Sequence, residues 1–337
     1  MIYAENLRKD FKKIIKSPGV LGSLKSLVRP QSEIITAVND ISIHVPKGEI
    51  LGFIGPNGAG KSTVIKMLTG ILTPTSGYCK INGCIPQKNR QIYTKEIGVV
   101  FGQRTQLWWD LPLSESYSVL KEIYEVPDES YKKRMGLLNE VLGLKEFISS
   151  PVRTLSLGQR MRADIAASLL HSPKVLFLDE PTIGLDVIVK DNIRKAIAQI
   201  NQEEKTTVIL TTHDLSDIEL LCKRIVLIDK GKNVFDGSIS ELKKNYGQMR
   251  ELSFEVERIG DINKLKYIEE LDVSKEDIEV YNDGLLVNVR FNSNKIAVST
   301  MLNYTLSQIN VKDINVKDAD IEDIIRRIYK QEVSLSG

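Results

Sequence analysis

Ile50-Leu-Gly-Phe-Ile54 followed by Gly55-Pro-Asn-Gly-Ala-Gly-Lys-Ser-Thr63 is the stretch from which the fold follows. A short apolar run reads as a buried strand, and the segment after it opens a helical pattern at Lys61–Gly70. Glycines at 55, 58 and 60 let the backbone curl so that its N–H groups point inward at phosphate oxygens. Lys61 adds a positive charge for the β- and γ-phosphates of a nucleotide, and Ser62 offers a hydroxyl to Mg²⁺. The helix N-terminus supplies further partial positive charge. With strand, glycines, lysine and hydroxyl all at the required spacing, this is a phosphate-binding loop and not an incidental Gly-rich turn.

Downstream, Lys174-Val-Leu-Phe-Leu-Asp-Glu-Pro181 is a second apolar run that delivers two carboxylates to its carboxyl end. Asp179 suits a Mg²⁺-binding role. Glu180 is then free to orient or deprotonate an attacking water.

Around these segments, strand candidates at Gly98–Phe101, Val175–Leu178, Val208–Thr211 and Arg224–Ile228 alternate with helical patterns at Ser114–Glu125, Tyr131–Leu142, Gly158–Leu170, Ile188–Gln202 and Ser216–Cys222. Such alternation predicts an α/β domain with a mainly parallel sheet, whose ligands sit at the carboxyl ends of the strands. The domain is expected over residues 1–245. A basic insertion at 12–33 contains Lys12, Lys13, Lys16, Lys25 and Arg29, and Leu21, Leu24, Leu27 and Val28 fall at the spacing of a short amphipathic helix. It reads as a surface insertion docked on its own domain, or as a membrane or transporter contact.

From residue 246 to 337 the pattern changes. Leu252, Phe254 and Val256 alternate as in a half-buried strand, and Ile262, Leu265, Ile268 and Leu271 follow helical spacing. Asn282-Asp283-Gly284 marks a hairpin turn between strands at Asp277–Tyr281 and Leu285–Phe291. A helix at Lys295–Ser307, a strand near Asn310–Val316 and a final helix marked by Ile321, Ile324, Ile325 and Ile328 complete a β-α-β-β-α-β order with an added helix. That order predicts a small ferredoxin-like α+β domain.

Among 337 residues, 46 basic against 44 acidic side chains leave a formal charge of +2, which gives no basic footprint for a nucleic-acid partner. No apolar run approaches the roughly 18 residues that span a bilayer, and the first residues, MIYAENLRKDFKK, lack the apolar core of a signal peptide. A cytosolic protein is expected. Cys79, Cys84 and Cys222 fit a reducing compartment, and no second pair completes a zinc site with Cys79 and Cys84.

Between the two phosphate-site segments lies Leu155-Ser-Leu-Gly-Gln-Arg160, which resembles the signature sequence of ATP-binding cassette (ABC) ATPases. Gln103 in VVFGQRTQ matches that family's Q-loop glutamine, His213 in TTHD its switch histidine, and Asp186 in IGLD its D-loop aspartate. Phe11 occupies the place of the aromatic that stacks on adenine. The motifs run in the family's order from Met1 to about Leu242. The resemblance implies ATP and Mg²⁺ as cofactors, with nucleotide contacts from Phe11, Gly55, Pro56, Asn57, Gly58, Ala59, Gly60, Lys61, Ser62, Thr63, Gln103, Ser156, Gly158, Gln159, Asp179, Glu180, Asp186 and His213. Metal contacts fall to Ser62, Gln103 and Asp179, and catalysis to Glu180, His213, Lys61 and Gln103. It also implies a head-to-tail homodimer in which Ser156 and the Gly158 N–H meet the γ-phosphate bound by the opposite chain. A permease partner would hold the pair on the inner face of the cell membrane, with Trp108 and Trp109 near the groove for that partner. The family usually has glycine where Leu157 stands, so the loop keeps its donors only if Leu157 takes negative φ. Asp320–Tyr329 resembles the closing helix of drug-export and ABC-2-type ATPases, which points to an exporter. A soluble ABC ATPase acting on ribosomes or DNA is the alternative, disfavoured by the single phosphate-binding loop and the lack of sustained heptads.

Overall fold

A computed structural model describes residues 1–15, 31–102, 104–271, 273–318 and 320–330. The chain divides into two compact units, Met1–Gly237 and Ser238–Gly337. The boundary falls eight residues before the expected change at 245, because the helix Ile239–Tyr246, opened by a Ser238–Glu241 capping box, packs with the second unit's helix Ile321–Tyr329.

The first unit is built on a six-stranded sheet of order β5-β6-β7-β3-β8-β9. Its strands are β3 (Ile50–Ile54), β5 (Ile97–Phe101), β6 (Val175–Asp179), β7 (Thr207–Thr211), β8 (Arg224–Asp229) and β9 (Lys232–Ser238). All pairings from β5 through β8 are parallel. β6 and β7 are apolar runs buried on both faces, as central parallel strands must be. Register aligns their carboxyl ends: Phe101 faces Asp179, Asp179 faces Thr211, and Phe53 faces Thr211. The loops that leave β3, β5, β6 and β7 therefore emerge along one edge of the sheet. This is where an open parallel sheet binds its ligands.

A second, antiparallel sheet of order β2-β1-β4 uses β1 (Ile2–Ile15), β2 (Gln31–Val45) and β4 (Ser76–Ile81). Ile2, Ala4, Leu7, Val38, Ile41, Ile43 and Val45 point into a core shared with Phe53, Val64, Ile65 and Phe177. The described ends of the expected 12–33 insertion continue this sheet. β1 and β2 pair without a break from Lys12↔Ile34 to Ile15↔Gln31, so both ends of the 12–33 stretch are strand. The helix expected from Leu21, Leu24, Leu27 and Val28 lies outside the described residues.

The second unit carries an antiparallel sheet of order β11-β12-β10-β13 from β10 (Met249–Val256), β11 (Ile278–Asp283), β12 (Leu286–Asn292) and β13 (Val311–Lys317). β12 is inserted between β10 and β11, which is the split arrangement expected of a ferredoxin-like domain. Leu252, Phe254, Val256, Val287, Val289 and Phe291 form its core with Tyr267 and Met301. Two local expectations shift. Asp283 pairs with Leu286, so the two-residue turn is Gly284-Leu285, one residue later than the Asp-Gly pattern places it. Helical spacing at Ile262–Leu271 gives a 3₁₀ turn, Ile259–Lys264, and a single helical turn, Tyr267–Glu270. The final helix follows its pattern, with Ile321, Ile324, Ile325 and Ile328 buried.

Candidate functional site

Gly55–Gly60 leaves the end of β3 and enters the helix Lys61–Leu68. Gly60 has φ +107°, and a Cβ there would lie 2.6 Å from the Ala37 carbonyl oxygen, so both dihedral and space require glycine. Gly58, at φ +83°, has open space around it and needs glycine for its dihedral alone. Lys61 is almost fully buried, and its Nζ donates to the carbonyl oxygens of Gly55 (2.5 Å) and Pro56 (3.2 Å). Burial lowers its pKa from the ordinary lysine value, against the opposing pull of Glu180 and Asp179. The loop is thus folded around its own lysine.

Asp179 ends β6 beside this loop. Its Oδ2 accepts from Ser62 Oγ (3.2 Å) and its Oδ1 from Thr211 Oγ1 (2.5 Å). Glu180 follows at φ +56°, an uncommon dihedral for a non-glycine residue that costs on the order of 1–3 kcal/mol. Its N–H donates to the Thr211 carbonyl (2.9 Å), which fixes the turn. The strained turn places the Glu180 Oε2 2.8 Å from His213 Nδ1. An ionised carboxylate only accepts, so Nδ1 carries the proton in this pair and Nε2 is left to face a ligand. Ser62 and Asp179 offer adjacent hard oxygens, a donor set that suits Mg²⁺ alongside phosphate. Gln103 lies outside the described residues, while its neighbour Gly102 donates to the Asp179 carbonyl (2.8 Å).

Ser156, Gly158 and Gln159 belong to a second group. Ser156 caps the helix Leu157–Leu169 in a reciprocal capping box: Gln159 N–H reaches Ser156 Oγ (3.2 Å), and Ser156 N–H reaches Gln159 Oε1 (2.9 Å). Leu157 is the first helical residue, has negative φ and is 40% exposed. Asp186 caps the neighbouring helix Val187–Glu204 through the Val189 N–H (2.9 Å). Among the described residues no hydrogen bond joins this group to Lys61, Asp179 or Glu180.

Phe11 stands half-exposed on β1 opposite Ile35, with Lys9 Nζ 5.4 Å above its ring. Trp108 and Trp109 are both exposed. Cys79 and Cys222 are buried, and burial pushes their thiols up to about 11 and about 12, so they stay protonated and inert.

Sequence motifs did not indicate the polar hub beneath His213. Asp217, fully buried, accepts from the hydroxyls of Thr182 and Thr212 (3.1 Å for Thr212) and from Arg194 Nε (2.5 Å). Lys190 meets Asp214 at 2.6 Å. These bonds tie the loop after Glu180, the segment holding His213 and the helix capped by Asp186 into one piece. Nothing in the residue order pairs Asp217 with an arginine on another helix.

A phosphate-binding loop, a strand-end aspartate and a glutamate–histidine pair on one edge of a parallel sheet define a P-loop nucleotide hydrolase. A family model described as ABC transporter matches residues 38–183. The bacitracin transport ATP-binding protein BcrA of Bacillus licheniformis is 32% identical over 285 residues, 82% of this chain and 90% of its own length. The methionine import ATP-binding protein MetN 2 of Enterococcus faecalis is also 32% identical, over 76% of this chain and 74% of its own. A solved dimer of the ATP-binding cassette MJ0796, in a post-hydrolysis state with ADP and Pi, superposes with a TM-score of 0.59 at 25% identity, covering 71% of this chain and 99% of that one. The chain belongs to the ABC transporter ATP-binding proteins and is an ATPase of that family. No helix among its described residues is long and apolar enough to cross a membrane.

Proposed function

We propose that the chain energises a membrane exporter as one half of a homodimer that closes on two ATP molecules, each with Mg²⁺. The observation that carries this reading is the division of the site into two groups held by different elements. Lys61, Ser62, Asp179, Glu180 and His213 converge on one sheet edge, while Ser156 and Gly158 sit at the start of a helix that no hydrogen bond among the described residues joins to Lys61, Asp179 or Glu180. Each group is half of what phosphoryl transfer needs, and a second copy supplies the other half.

In this arrangement the N–H groups of Gly55–Thr63 and the Lys61 ammonium hold the β- and γ-phosphates. Ser62 and Asp179 would hold Mg²⁺, which would offset charge developing on the phosphates, and the sequence match would assign Gln103 to the ion or the attacking water. Glu180 orients or deprotonates the water, and His213, already held by Glu180, turns Nε2 toward the γ-phosphate. Ser156 Oγ and the Gly158 N–H of the opposite copy offset the charge of the transferred group. Phe11 stacks on the base. ATP favours the closed pair because only that state uses both groups.

Export rests on the likeness of Asp320–Tyr329 to drug-export ATPases; the relative BcrA is named for bacitracin transport without a direction, and the equal identity to a methionine import protein makes import the competing direction. Glu180→Gln tests the core of the proposal. Turnover falls by at least a hundredfold, ATP binding persists, and size-exclusion chromatography with ATP shows an accumulated dimer. Hydrolysis at the wild-type rate in this variant would remove Glu180 from catalysis. Direction is read by reconstituting the chain with its co-purifying permease in vesicles and following which face must receive substrate.

A further inference from the structure

The helix that carries Ser156 is bolted to the segment that follows Gln103, and neither bolt belongs to the machinery above. Asp164, two turns into the helix Leu157–Leu169, is buried. Its Oδ1 accepts from Thr105 Oγ1 (2.8 Å) and from the Gln106 N–H (3.1 Å), and its own carbonyl accepts from Gln106 Nε2 (3.2 Å). Thr105 Oγ1 in turn accepts from the Leu107 N–H (3.1 Å), so the turn Thr105–Leu107 is wound around this one carboxylate. One helical turn earlier, on the same face, the Arg160 guanidinium lies 5.6 Å over the Trp109 ring. At its other end the segment is fixed to the sheet: Arg104 N–H meets the Phe101 carbonyl (2.9 Å), and Gly102 N–H the Asp179 carbonyl (2.8 Å). A run of about two turns' length thus touches the strand end beside Asp179, then Asp164, then Arg160, and surfaces at Trp108-Trp109, which are 39% and 49% exposed.

A carboxylate buried in a helix core is costly unless its partners are fixed. Burial pushes the Asp164 carboxyl up to about 6, with Thr105, Gln106 and Arg160 opposing that rise. An apolar residue would pack this position more cheaply, so the side chain is explained by what it holds.

We propose that Asp164, aided by Arg160, is a positioning residue that makes Arg104–Trp109 and the Ser156 helix move as one body, so that closing on nucleotide re-sets the Trp108-Trp109 surface. That surface is where a permease segment would feel, or drive, the docking of Ser156 on the opposite γ-phosphate. The inference rests on the two-group dimer proposed above.

The chain's two tryptophans are Trp108 and Trp109, so tryptophan emission, excited at the red edge where its eleven tyrosines do not absorb, reports this segment alone. The experiment uses the full chain in the Glu180→Gln background, with and without ATP, and reads tryptophan emission and acrylamide quenching beside size-exclusion chromatography. The parent shows an ATP-dependent change in emission together with dimer formation. Adding Asp164→Ala, or Thr105→Val as the milder cut in the same bond, removes at least half of that change while ATP still yields a dimer. Asp164→Asn, which keeps an acceptor oxygen for Thr105 and Gln106, retains it. A merely structural role would alter the nucleotide-free emission and leave the ATP-dependent increment. A full increment in Asp164→Ala, or its loss in Asp164→Asn, overturns the proposal. A parent that dimerises with no change in emission overturns it too. A parent that binds ATP and stays monomeric instead overturns the two-group dimer, and this inference with it.

Discussion

Replacing Gly158 with alanine drives a methyl group into Val189. An ideal Cβ on Gly158 lies 2.9 Å from Val189 Cγ1 and 3.2 Å from Cγ2, both inside comfortable contact. The helices Leu157–Leu169 and Val187–Glu204 must then separate at their starts, where Ser156 and Asp186 cap them. Overpacking of this kind costs about 1–3 kcal/mol, and the better helix preference of alanine returns up to about 1 kcal/mol. The net loss is about 1 kcal/mol, which in a unit of this size lowers Tm by roughly 2–4 °C. The effect on activity is larger, because the displaced turn carries the Ser156 and Gly158 donors, and a shift of under 1 Å there lowers kcat by about tenfold or more. Val189→Ala removes both clashing carbons and leaves Cβ at 3.6 Å, an ordinary contact. The double variant therefore recovers most of the lost kcat and shows a favourable coupling of about 1 kcal/mol in a chemical-denaturation cycle. Steady-state ATPase assays and urea unfolding on the four proteins measure both quantities. Gly158→Ala with wild-type Tm and kcat, or a double variant no better than the single, would refute the packing argument.

Lys61→Ala should separate stability from function. Among the described residues the buried ammonium hydrogen-bonds only to backbone carbonyls, and the attraction of Asp179 and Glu180 works against its burial cost, so its removal changes Tm little, while equilibrium dialysis shows ATP affinity reduced at least about tenfold. His171 gives a pH signature: stacked on Tyr124 at 3.9 Å and bonded to the Ile97 carbonyl (2.9 Å), it is pushed by burial from 6.5 down to about 4. The unfolded chain takes up that proton below pH 6.5 and the folded one does not, so stability is lost as pH falls from 6.5 toward 4. Asp164, raised to about 6, opposes this over the same range by gaining stability as pH falls. His171→Phe accordingly narrows the drop in Tm between pH 7 and pH 5, measured by calorimetry, and an unchanged drop would show that His171 is protonated in the folded chain.

Most of the sheet was legible because buried parallel strands are contiguous apolar runs: Ile50–Ile54 is read without error and the other four parallel strands to within one residue, whereas the half-exposed strand Lys232–Ser238 was not read. The site was legible where its chemistry is contiguous too, as in Gly55–Thr63 and Asp179-Glu180. β1 and β2 were hidden because Lys12 and Lys13 on an extended hairpin look like an insertion, and their pairing with Ile34 and Glu33 is a long-range fact. Asp164 and Asp217 were invisible for the same reason. Their partners Thr105 and Arg194 are 59 and 23 residues away in the chain, and no local period connects them.

Leu157 shows how packing decides which glycine a site keeps. Phosphate chemistry asks only for backbone N–H groups, which any non-proline residue provides. At position 157 the backbone is helical with negative φ and the side chain is partly exposed beside Gly184, so leucine costs no strain and the amide survives. At 158, one residue further around the helix, the same substitution would strike Val189. Leucine fits the first position and glycine the second because one side chain is partly exposed and the other would face a neighbouring helix.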